Sequence, residues 1–385
     1  MDINTLLLEL AVILVIAKLL EEVIIRFGFP PILGDLLAGL ILGPTMLNVI
    51  IVSGELEFLA WLGVIVLLFM AGLETKYSDF KRYCFTAAVV GIGGVIASFG
   101  LGFIMGILLG YNYVTSAFLG AILTATSISI TVKTLMDLGR MDSEESVLVI
   151  EAAVLDDIYG LFVLALVYSL ALGRLFNIID ILIGVLGVVF IVLMVITMHK
   201  LNMVVHRFLL KLKFSEAPTI FVLSFGILVA AITGHLKLSP IVGAFMLGLA
   251  LSDMPIAALI NEKLSLLNYL FAPVFFVYAG LLLNPWGTSW SISAVIVALL
   301  IVLVGIASKI IGCAVPAVLL GVKLRQALAV GVGMIPRGEV ALIISVAGLS
   351  LNVIPQEIYL GTLLLIYTSS ILAPLLLKLI YSTKS

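Results

Sequence analysis

The stretch PILGDLLAGLIL, residues 31–42, occurs a second time in the chain as PIVGAFMLGLAL, residues 240–251. The copies are 209 residues apart, and their matching positions are Pro31 and Pro240, Gly34 and Gly243, and Gly39 and Gly248. A second short match, AGL at 71–73 and at 279–281, has an offset of 208. Because two separate segments keep nearly the same offset, the two halves of the chain are predicted to share one structural plan.

The composition indicates that the chain lies in a lipid bilayer. Of its 385 residues 63% are hydrophobic and 11% are charged, and the mean hydropathy is +1.34. Soluble domains of this length are not so apolar, so the sequence predicts an all-α polytopic membrane protein. A formal net charge of −2 without a basic tail gives no indication of nucleic-acid binding. Two cysteines in apolar segments and three isolated histidines lack the spacing of metal ligands, so we expect no cofactor and no resident metal.

Apolar segments alternate with short polar breaks along the whole chain. We predict thirteen transmembrane helices, at residues 4–26, 31–47, 56–73, 83–110, 114–136, 145–172, 178–204, 217–234, 239–252, 264–283, 290–319, 325–349 and 357–379. The copies of the repeat lie on the second and ninth helices, which are seven positions apart. Because this number is odd, the copies have opposite orientations in the membrane. Inverted repeats are typical of secondary transporters, whose substrates bind near the midplane between the repeats.

Lysine and arginine are distributed unevenly over the loops and helix ends. One set of loops, together with the C-terminal segment, holds Arg26, Lys76, Lys81, Arg82, Lys133, Arg140, Lys200, Arg207, Lys211, Lys213, Lys263, Lys323, Arg325, Lys378 and Lys384. The opposite set holds only Arg174 and Lys237, while Lys18, Lys309 and Arg337 lie inside predicted helices. Because cytoplasmic loops carry the excess of basic residues, we expect the N-terminus outside the cell and the C-terminus in the cytoplasm.

Two of the predicted helices contain interruptions. The fifth reads LTATSISITVKTL at 123–135, where hydroxyl groups compete for backbone hydrogen bonds and β-branched residues weaken the helix. The twelfth reads GVGMIPRGEV at 331–340, where Pro336 removes a backbone donor. An offset of 209 carries residues 124–127 onto 333–336, so the interruptions are equivalent in the repeat. A polar packing face and an ordinary proline kink would explain each separately. Their pairing favours two broken helices that cross at a functional site.

The stretch VLDDIYGLFVLAL, residues 154–166, places Asp156 and Asp157 in an otherwise apolar run. Each ionised carboxylate at the centre of a bilayer costs roughly 2.5–3.5 kcal/mol on insertion scales. Asp156 lies roughly 18 Å from the start of its helix, and Lys309 lies roughly 15 Å from the end of its own, at 1.5 Å per residue. Since these depths match, one aspartate can pair with Lys309 and leave the other for a ligand. A structural salt bridge alone would explain one aspartate and not the second.

The residue types at this depth suggest the ligand. Carboxylate and hydroxyl oxygens suit hard cations, and the sequence offers no soft or imidazole ligands there. Because adjacent carboxylates repel each other, protons compete with a metal cation for the pair. Such competition is the basis of an antiport mechanism, in which the site holds either protons or the cation.

Several blocks together resemble the monovalent cation–proton antiporter superfamily, and more narrowly its electrogenic NapA-type sodium–proton antiporters. They are LTATSISIT (123–131), AAVLDDIYGLFVLA (152–165), SPIVGAFMLGL (239–249), the helix of Lys309 and GVGMIPRGEVALI (331–343). The resemblance covers essentially the whole chain. It implies an NhaA/NapA-like antiporter fold with two crossed discontinuous helices, and a homodimer. It also implies elevator-type transport, in which a core domain slides against a scaffold domain.

The same resemblance implies roles for individual residues. Asp157 would be the main cation carboxylate, and Asp156 would be the partner of Lys309. Thr126 and Ser127 would line the ion site.

Charge compensation and domain division also follow from the resemblance. Arg337 and Glu339 would compensate charge where the broken helices cross. The core domain would comprise about 83–172 and 290–379, the dimerisation scaffold about 1–73 and 217–283, and a linking helix 178–204.

The resemblance to the superfamily also narrows the range of possible substrates. The Asp-Asp pair resembles the electrogenic branch, since electroneutral relatives carry Asn before the Asp and potassium-efflux relatives carry Gln with a nucleotide-binding domain. We therefore expect exchange of Na⁺ (or Li⁺) for protons across the cytoplasmic membrane, with K⁺/H⁺ exchange as the alternative. Two alternatives to a transporter are an ion channel and an integral membrane enzyme. The enzyme would need further His, Asp or Glu at membrane depth, so we expect a transporter rather than an enzyme.

Glu151 departs from the family pattern, which has a small residue at this position. It lies five residues before Asp156, and five residues turn a helix by about 140°, so it does not share the face of the aspartates. Glu151 is expected either to pair with Lys133 or Arg140 or to line a cytoplasmic funnel. The structural pair is the preferred interpretation.

Overall fold

Helices form the regular secondary structure in the residues that the computed structural model describes, which are 3–27, 29–171, 178–214, 216–236, 238–282 and 291–382. In chain order they are α1 (Ile3–Arg26), α2 (Ile32–Leu42), α3 (Gly54–Glu74), α4 (Tyr77–Leu108), α5 (Tyr113–Thr124), α6 (Ile128–Asp137), α7 (Glu144–Ala171), α8 (Ile178–Leu209), α9 (Ala217–His235), α10 (Pro240–Leu251), α11 (Ala257–Leu281), α12 (Ile292–Leu319), α13 (Leu324–Gly333), α14 (Glu339–Ser350) and α15 (Gln356–Ser382).

Many of these helices are long and apolar enough to cross a membrane. Within the described ranges nine segments meet this condition by length and composition, and one of them runs through both α5 and α6. Three shorter apolar stretches are Ile32–Leu42, Pro240–Leu251 and Val340–Leu349. Two of these carry the sequence repeat, and the third follows an interruption. The prediction of an all-helical polytopic membrane protein is therefore confirmed.

Two helices begin earlier than the hydropathy pattern predicts. The predicted start at residue 83 becomes Tyr77 in α4, and the predicted start at 264 becomes Ala257 in α11. The two added turns of α11 carry Asn261 and Lys263, whose polar side chains end the apolar pattern without ending the helix. Hydropathy reports where a helix leaves the apolar layer, whereas the backbone hydrogen bonds continue beyond it.

The contacts divide most helices into two groups. The first group consists of α1, α2, α3, α9, α10 and α11, which pack on one another, and the second consists of α4, α5, α6, α7, α12, α13, α14 and α15. Helix α8 contacts α7 of the second group as well as α9 and α10 of the first. Across the boundary, α6 packs against α2 and α3. The second half of one interrupted helix therefore lies against the first group.

An ionic cluster lies where α1, α2 and α6 meet. Lys18 and Glu21 of α1 form an ion pair at 2.7 Å, and Lys133 and Asp137 of α6 form another at 2.8 Å. Asp35 of α2 is fully buried and interacts with Glu21, Lys18 and Lys133. Lys133 lies in the last half of α6, within the helix predicted at 114–136.

Several other basic residues lie near helix ends. Arg26 ends α1, Arg207 lies in the last turn of α8, and Arg325 lies at the start of α13. Arg174 and Lys237, the two basic residues predicted for the opposite side, lie outside the described residues.

Four glycines of the sequence repeat pack against each other in pairs. A Cβ atom added to Gly39 of α2 would lie 2.7 Å from Cα of Gly280 of α11. A Cβ atom added to Gly248 of α10 would lie 3.0 Å from Cα of Gly72 of α3. In the repeat, Gly39 corresponds to Gly248 and Gly72 corresponds to Gly280. The contact between Gly39 and Gly280 in one half is therefore the equivalent of the contact between Gly248 and Gly72 in the other. The repeat is thus present in the packing, and it requires glycine because the backbones touch.

We expect Gly248→Ala to destabilise the protein by about 1–3 kcal/mol, because the added methyl group meets backbone atoms of α3 that cannot move aside. The measurement is thermal unfolding in detergent. Gly184→Ala is the matched control, since a Cβ there meets nothing within 4 Å in helix α8. Equal melting temperatures for both variants would contradict the assigned contact.

Candidate ion-binding site

Two helices of the second group are interrupted at the places that the sequence predicts. Helix α5 ends at Thr124 and α6 begins at Ile128. Helix α13 ends at Gly333 and α14 begins at Glu339. The backbone of Ser127 is extended, with φ −95° and ψ 104°, so the helix of residues 113–137 is broken rather than bent.

The two interruptions contact each other. The Ser127 N–H donates to the Pro336 carbonyl at 2.8 Å, and the Thr131 hydroxyl donates to the Gly333 carbonyl at 2.6 Å. The Thr126 hydroxyl makes a longer contact of 3.5 Å with the Met334 carbonyl. Each interrupted segment thus satisfies backbone groups that the other leaves without a helical partner, which is the condition for non-helical backbone at membrane depth.

Arg337 is fully buried between these segments. Its guanidinium donates to Leu123 O at 2.9 Å, near the end of α5, and to Met334 O at 3.1 Å, at the end of α13. It also donates to Ile335 O at 2.5 Å and to Gly305 O of α12 at 3.1 Å. The C-terminal end of a helix carries partial negative charge, so a cation here stabilises both broken ends.

Asp156 of α7 and Lys309 of α12 form a buried ion pair. The distance from Lys309 Nζ to Asp156 Oδ1 is 2.6 Å, and the two residues are 0% and 2% exposed, respectively. Gly94 of α4 leaves space for the lysine, since a Cβ there would lie 3.4 Å from Nζ. The matched depths that the sequence predicted therefore correspond to a direct contact.

Helix α7 presents this ion pair toward the interruptions. The Val149 side chain packs against Gly333, because a Cβ atom added to Gly333 would lie 2.8 Å from Val149 Cγ1. Asp156 lies seven residues further and therefore on nearly the same face of α7. It also interacts electrostatically with Arg337. Asp157 is half-buried and follows about 100° further around the helix.

A cavity approaches the second interruption from between the two groups of helices. It has a volume of about 410 Å³ and is lined mainly by apolar residues of α3, α11 and α14, with Trp61, Tyr278 and Gly338 among them. A separate space of about 30 Å³ is lined by Ser127, Arg337 and Gly338, among others. Gly338 lines both spaces, so the second interruption borders the cavity between the groups.

Some contacts at the interruptions are absent from the sequence-based site. The Thr131 hydroxyl belongs to the predicted Ser/Thr run, so its contact with Gly333 follows from that signal. Ser369 of α15 accepts from the Arg337 N–H at 3.0 Å, and nothing in the sequence indicates it. The side chain of Glu339, predicted to compensate charge, lies outside the described part of the structure, although its backbone begins α14.

Comparisons with known proteins define the class of this chain. Residues 11–382 match the family described as sodium/hydrogen exchanger, transmembrane. The probable Na⁺/H⁺ antiporter GerT of Bacillus cereus is 35% identical over 91% of this chain and 92% of that protein. The Na⁺/H⁺-K⁺ antiporter GerN of the same organism is 33% identical over 98% of this chain and 96% of that protein. The chain therefore belongs to the sodium/hydrogen exchanger family, as the resemblance to cation–proton antiporters predicted.

Solved structures agree with this class at the level of the fold. The sodium proton antiporter MjNhaP1 from Methanocaldococcus jannaschii, solved at pH 8, matches with a TM-score of 0.69 and 20% identity over 98% of this chain and 97% of that chain. An electron-microscopy structure of the same antiporter matches with a TM-score of 0.73 over the whole of both chains. The fold of this chain is that of an antiporter.

We expect Lys309→Gln and Asp156→Asn each to destabilise the protein by about 3–5 kcal/mol, because either change leaves one charge buried without its partner. The double variant should recover part of the loss. Thermal unfolding of the four proteins in detergent measures the coupling. Glu22→Gln is the control, since the exposed Glu22–Arg26 pair at 3.1 Å should contribute less than about 1 kcal/mol. Additive losses in the double variant would show that the pair is not coupled.

Proposed function

We propose that this protein exchanges Na⁺ (or Li⁺) for protons across the cytoplasmic membrane, with Asp157 as the carboxylate that binds the cation. The observation that carries the proposal is the buried Asp156–Lys309 ion pair beside Asp157. Lys309 offsets the charge of Asp156. Asp157 directly follows Asp156 on α7, and we propose that a cation and a proton exchange at its carboxylate.

The coupling follows from the electrostatics of the site. Asp157 with a cation bound, or with a proton bound, is neutral or nearly so, and either state lowers the cost of the charge at membrane depth. Both ligands bound together would place a surplus positive charge beside Lys309 and Arg337. The two therefore compete, and each passage of the site across the membrane carries one or the other.

Thr126 and Ser127 are proposed to complete the site with oxygen atoms. Their hydroxyl groups lie at the first interruption, where Ser127 Oγ is 3.2 Å from Ser129 Oγ. Carboxylate, hydroxyl and carbonyl oxygens are the ligands that hard cations prefer. The transported ion is the substrate here, and no cluster of three or more His, Cys, Asp or Glu capable of holding a resident metal occurs among the described residues.

The membrane topology is part of the proposal. Thirteen spans result if α5 with α6, and α13 with α14, each cross the membrane once as a broken helix. The hydrogen bond from the Ser127 N–H to the Pro336 carbonyl supports a crossing of these two helices, with Arg337 and Glu339 compensating charge there. The positive-inside distribution supports an N-terminus outside and a cytoplasmic C-terminus.

Two domains are proposed to move against each other in an elevator-type mechanism. The second group of helices corresponds to the core, approximately 83–172 with 290–379, and the first group to the scaffold, approximately 1–73 with 217–283. Helix α8 covers the linking segment 178–204. The cavity between the groups supports a movable boundary, and the scaffold is where we place the homodimer contact.

Na⁺ is preferred over K⁺ in this proposal because a compact site of carboxylate and hydroxyl oxygens suits the smaller ion. GerT is named as a probable Na⁺/H⁺ antiporter, which supports this choice. GerN is named as a Na⁺/H⁺-K⁺ antiporter, so K⁺/H⁺ exchange is the second candidate.

We expect proteoliposomes of the purified protein to move protons in response to Na⁺ and Li⁺ pulses, with a weaker response to K⁺. Asp157→Asn should abolish the response to all three ions and leave the fold intact, because an amide cannot exchange a proton for a cation. Asp142→Asn is the control, since that aspartate is exposed outside the helices. An equal or larger K⁺ response would exclude Na⁺ preference, and exchange by Asp157→Asn would overturn the assignment.

Exchange is expected to be electrogenic, because the two aspartates and Lys309 together can carry more protons than cations in each cycle. Each elementary charge that crosses then couples to about 2.3 kcal/mol per 100 mV. An interior-negative potential, set with valinomycin, should therefore accelerate Na⁺ exit. Lys309→Gln should retain slower exchange with less dependence on voltage. A rate that ignores the imposed potential in the unmodified protein would establish electroneutral exchange instead.

A further inference from the structure

Glu151 of α7 is a buried carboxyl group that neither the ion pair nor the interruptions use. Its side chain is 1% exposed, and neither of its oxygens has a hydrogen-bond partner in the part of the chain that the structure describes. A carboxylate in such a place is unfavourable, because it loses its hydration and gains no counter-charge. Burial without a partner therefore favours the neutral, protonated form of Glu151 over its carboxylate.

Lys133 and Arg140, the partners predicted for Glu151, contact other residues. Lys133 pairs with Asp137 at 2.8 Å, and the Arg140 guanidinium lies over the Tyr381 ring at 5.1 Å. The structural pair preferred from the sequence is therefore wrong. The physical reason is that α6 turns Lys133 toward its own helix and toward α2.

The thiol of Cys84 on helix α4 is a titratable group that interacts electrostatically with Glu151. Cys84 is exposed, so this part of the contact between α4 and α7 lies near the protein surface. The described parts of α5, α6, α8 and α13, which also pack against α7, place no charged group against Glu151. Among the described side chains, no fixed charge therefore stabilises the Glu151 carboxylate.

The position of Glu151 along α7 is intermediate between water and the ion pair. The helix begins at Glu144, and Asp142 and Glu144 are exposed at this end. Glu151 lies about 10 Å inside this end, and Asp156 lies about 7.5 Å further along the axis. Tyr159 lies between Glu151 and Asp156 around the circumference of α7, on the side that faces α4.

We propose that Glu151 is a proton-transfer residue, which passes protons between the aqueous end of α7 and the aspartates of the ion site. The inference rests on the proposed function of that site. When the cation leaves, a proton moves from the Glu151 carboxyl to a site carboxylate through water in the contact between α4 and α7. The resulting Glu151 carboxylate then takes a proton from water at the start of α7, so one proton is delivered and the residue returns to its neutral form.

This role accounts for features that a packing role does not. A leucine or glutamine would fill a similar volume without the free-energy cost of burying an acidic group. An acidic group at membrane depth is functional where protons are transferred. The site itself needs no contact with Glu151, because water can connect hydrogen-bonding groups that are too far apart for a direct bond.

The test separates proton delivery from cation binding. In proteoliposomes, Na⁺/H⁺ exchange is compared with Na⁺/Na⁺ self-exchange, which needs a working ion site and no proton movement. Glu151→Gln should slow Na⁺/H⁺ exchange roughly tenfold or more, as removal of a proton-transfer group does. Na⁺/Na⁺ self-exchange should be unchanged. Glu151→Asp, which keeps a carboxyl group, should restore part of the lost rate.

Glu144→Gln is the matched control, because it removes an exposed carboxylate from the same helix. It should leave both rates unchanged. An equal loss of both activities in Glu151→Gln would show a structural role and overturn the inference, as would two unchanged rates. If the unmodified protein performs Na⁺/Na⁺ self-exchange without Na⁺/H⁺ exchange, the proposed function itself is wrong. This result is distinguishable from the outcomes for Glu151, because it is seen in the unmodified protein and not only in the variants.

Discussion

The Arg337 guanidinium joins the ends of two broken helices to a third helix. It donates to Leu123 O of α5, to Met334 O beside α13 and to Gly305 O of α12. Without water, a carbonyl that an interruption exposes and that finds no donor costs several kcal/mol in the apolar layer. A fixed, planar cation with five donors satisfies several carbonyl groups at once. This one side chain therefore joins both interrupted helices to α12, in addition to the hydrogen bonds that the interruptions make with each other.

The ion pair of Asp156 and Lys309 adds a second constraint beside the first. Two adjacent carboxylates at membrane depth would repel each other and would both lack hydration. Lys309, buried with Asp156 at 2.6 Å, removes most of that cost for one of them. In the proposed function, a transported cation or a proton offsets the charge of the neighbouring Asp157. The ion pair would then link the stability of the core to the proposed exchange.

The site lies against the boundary between the two groups of helices. Helix α6, which starts at the first interruption, packs against α2 and α3, and the buried Asp35 of α2 lies near Lys133 of α6. The paired glycines hold α2 against α11, and α3 against α10, at backbone contact. In the elevator-type mechanism proposed above, movement along this boundary would change the surroundings of the interruptions.

The sequence by itself determined the bilayer environment, the positions of most helices, the repeat, both interruptions and the shared depth of Asp156 and Lys309. These features depend on local composition and spacing, which the chain order contains. It did not determine the carbonyl partners of Arg337, because a backbone oxygen such as Leu123 O has no side-chain signature. It also suggested the wrong environment for Glu151, since whether Lys133 faces α7 or Asp137 depends on how α6 is rotated. Only the tertiary structure decided such contacts, because they join groups that are distant in sequence and meet through the packing of helices.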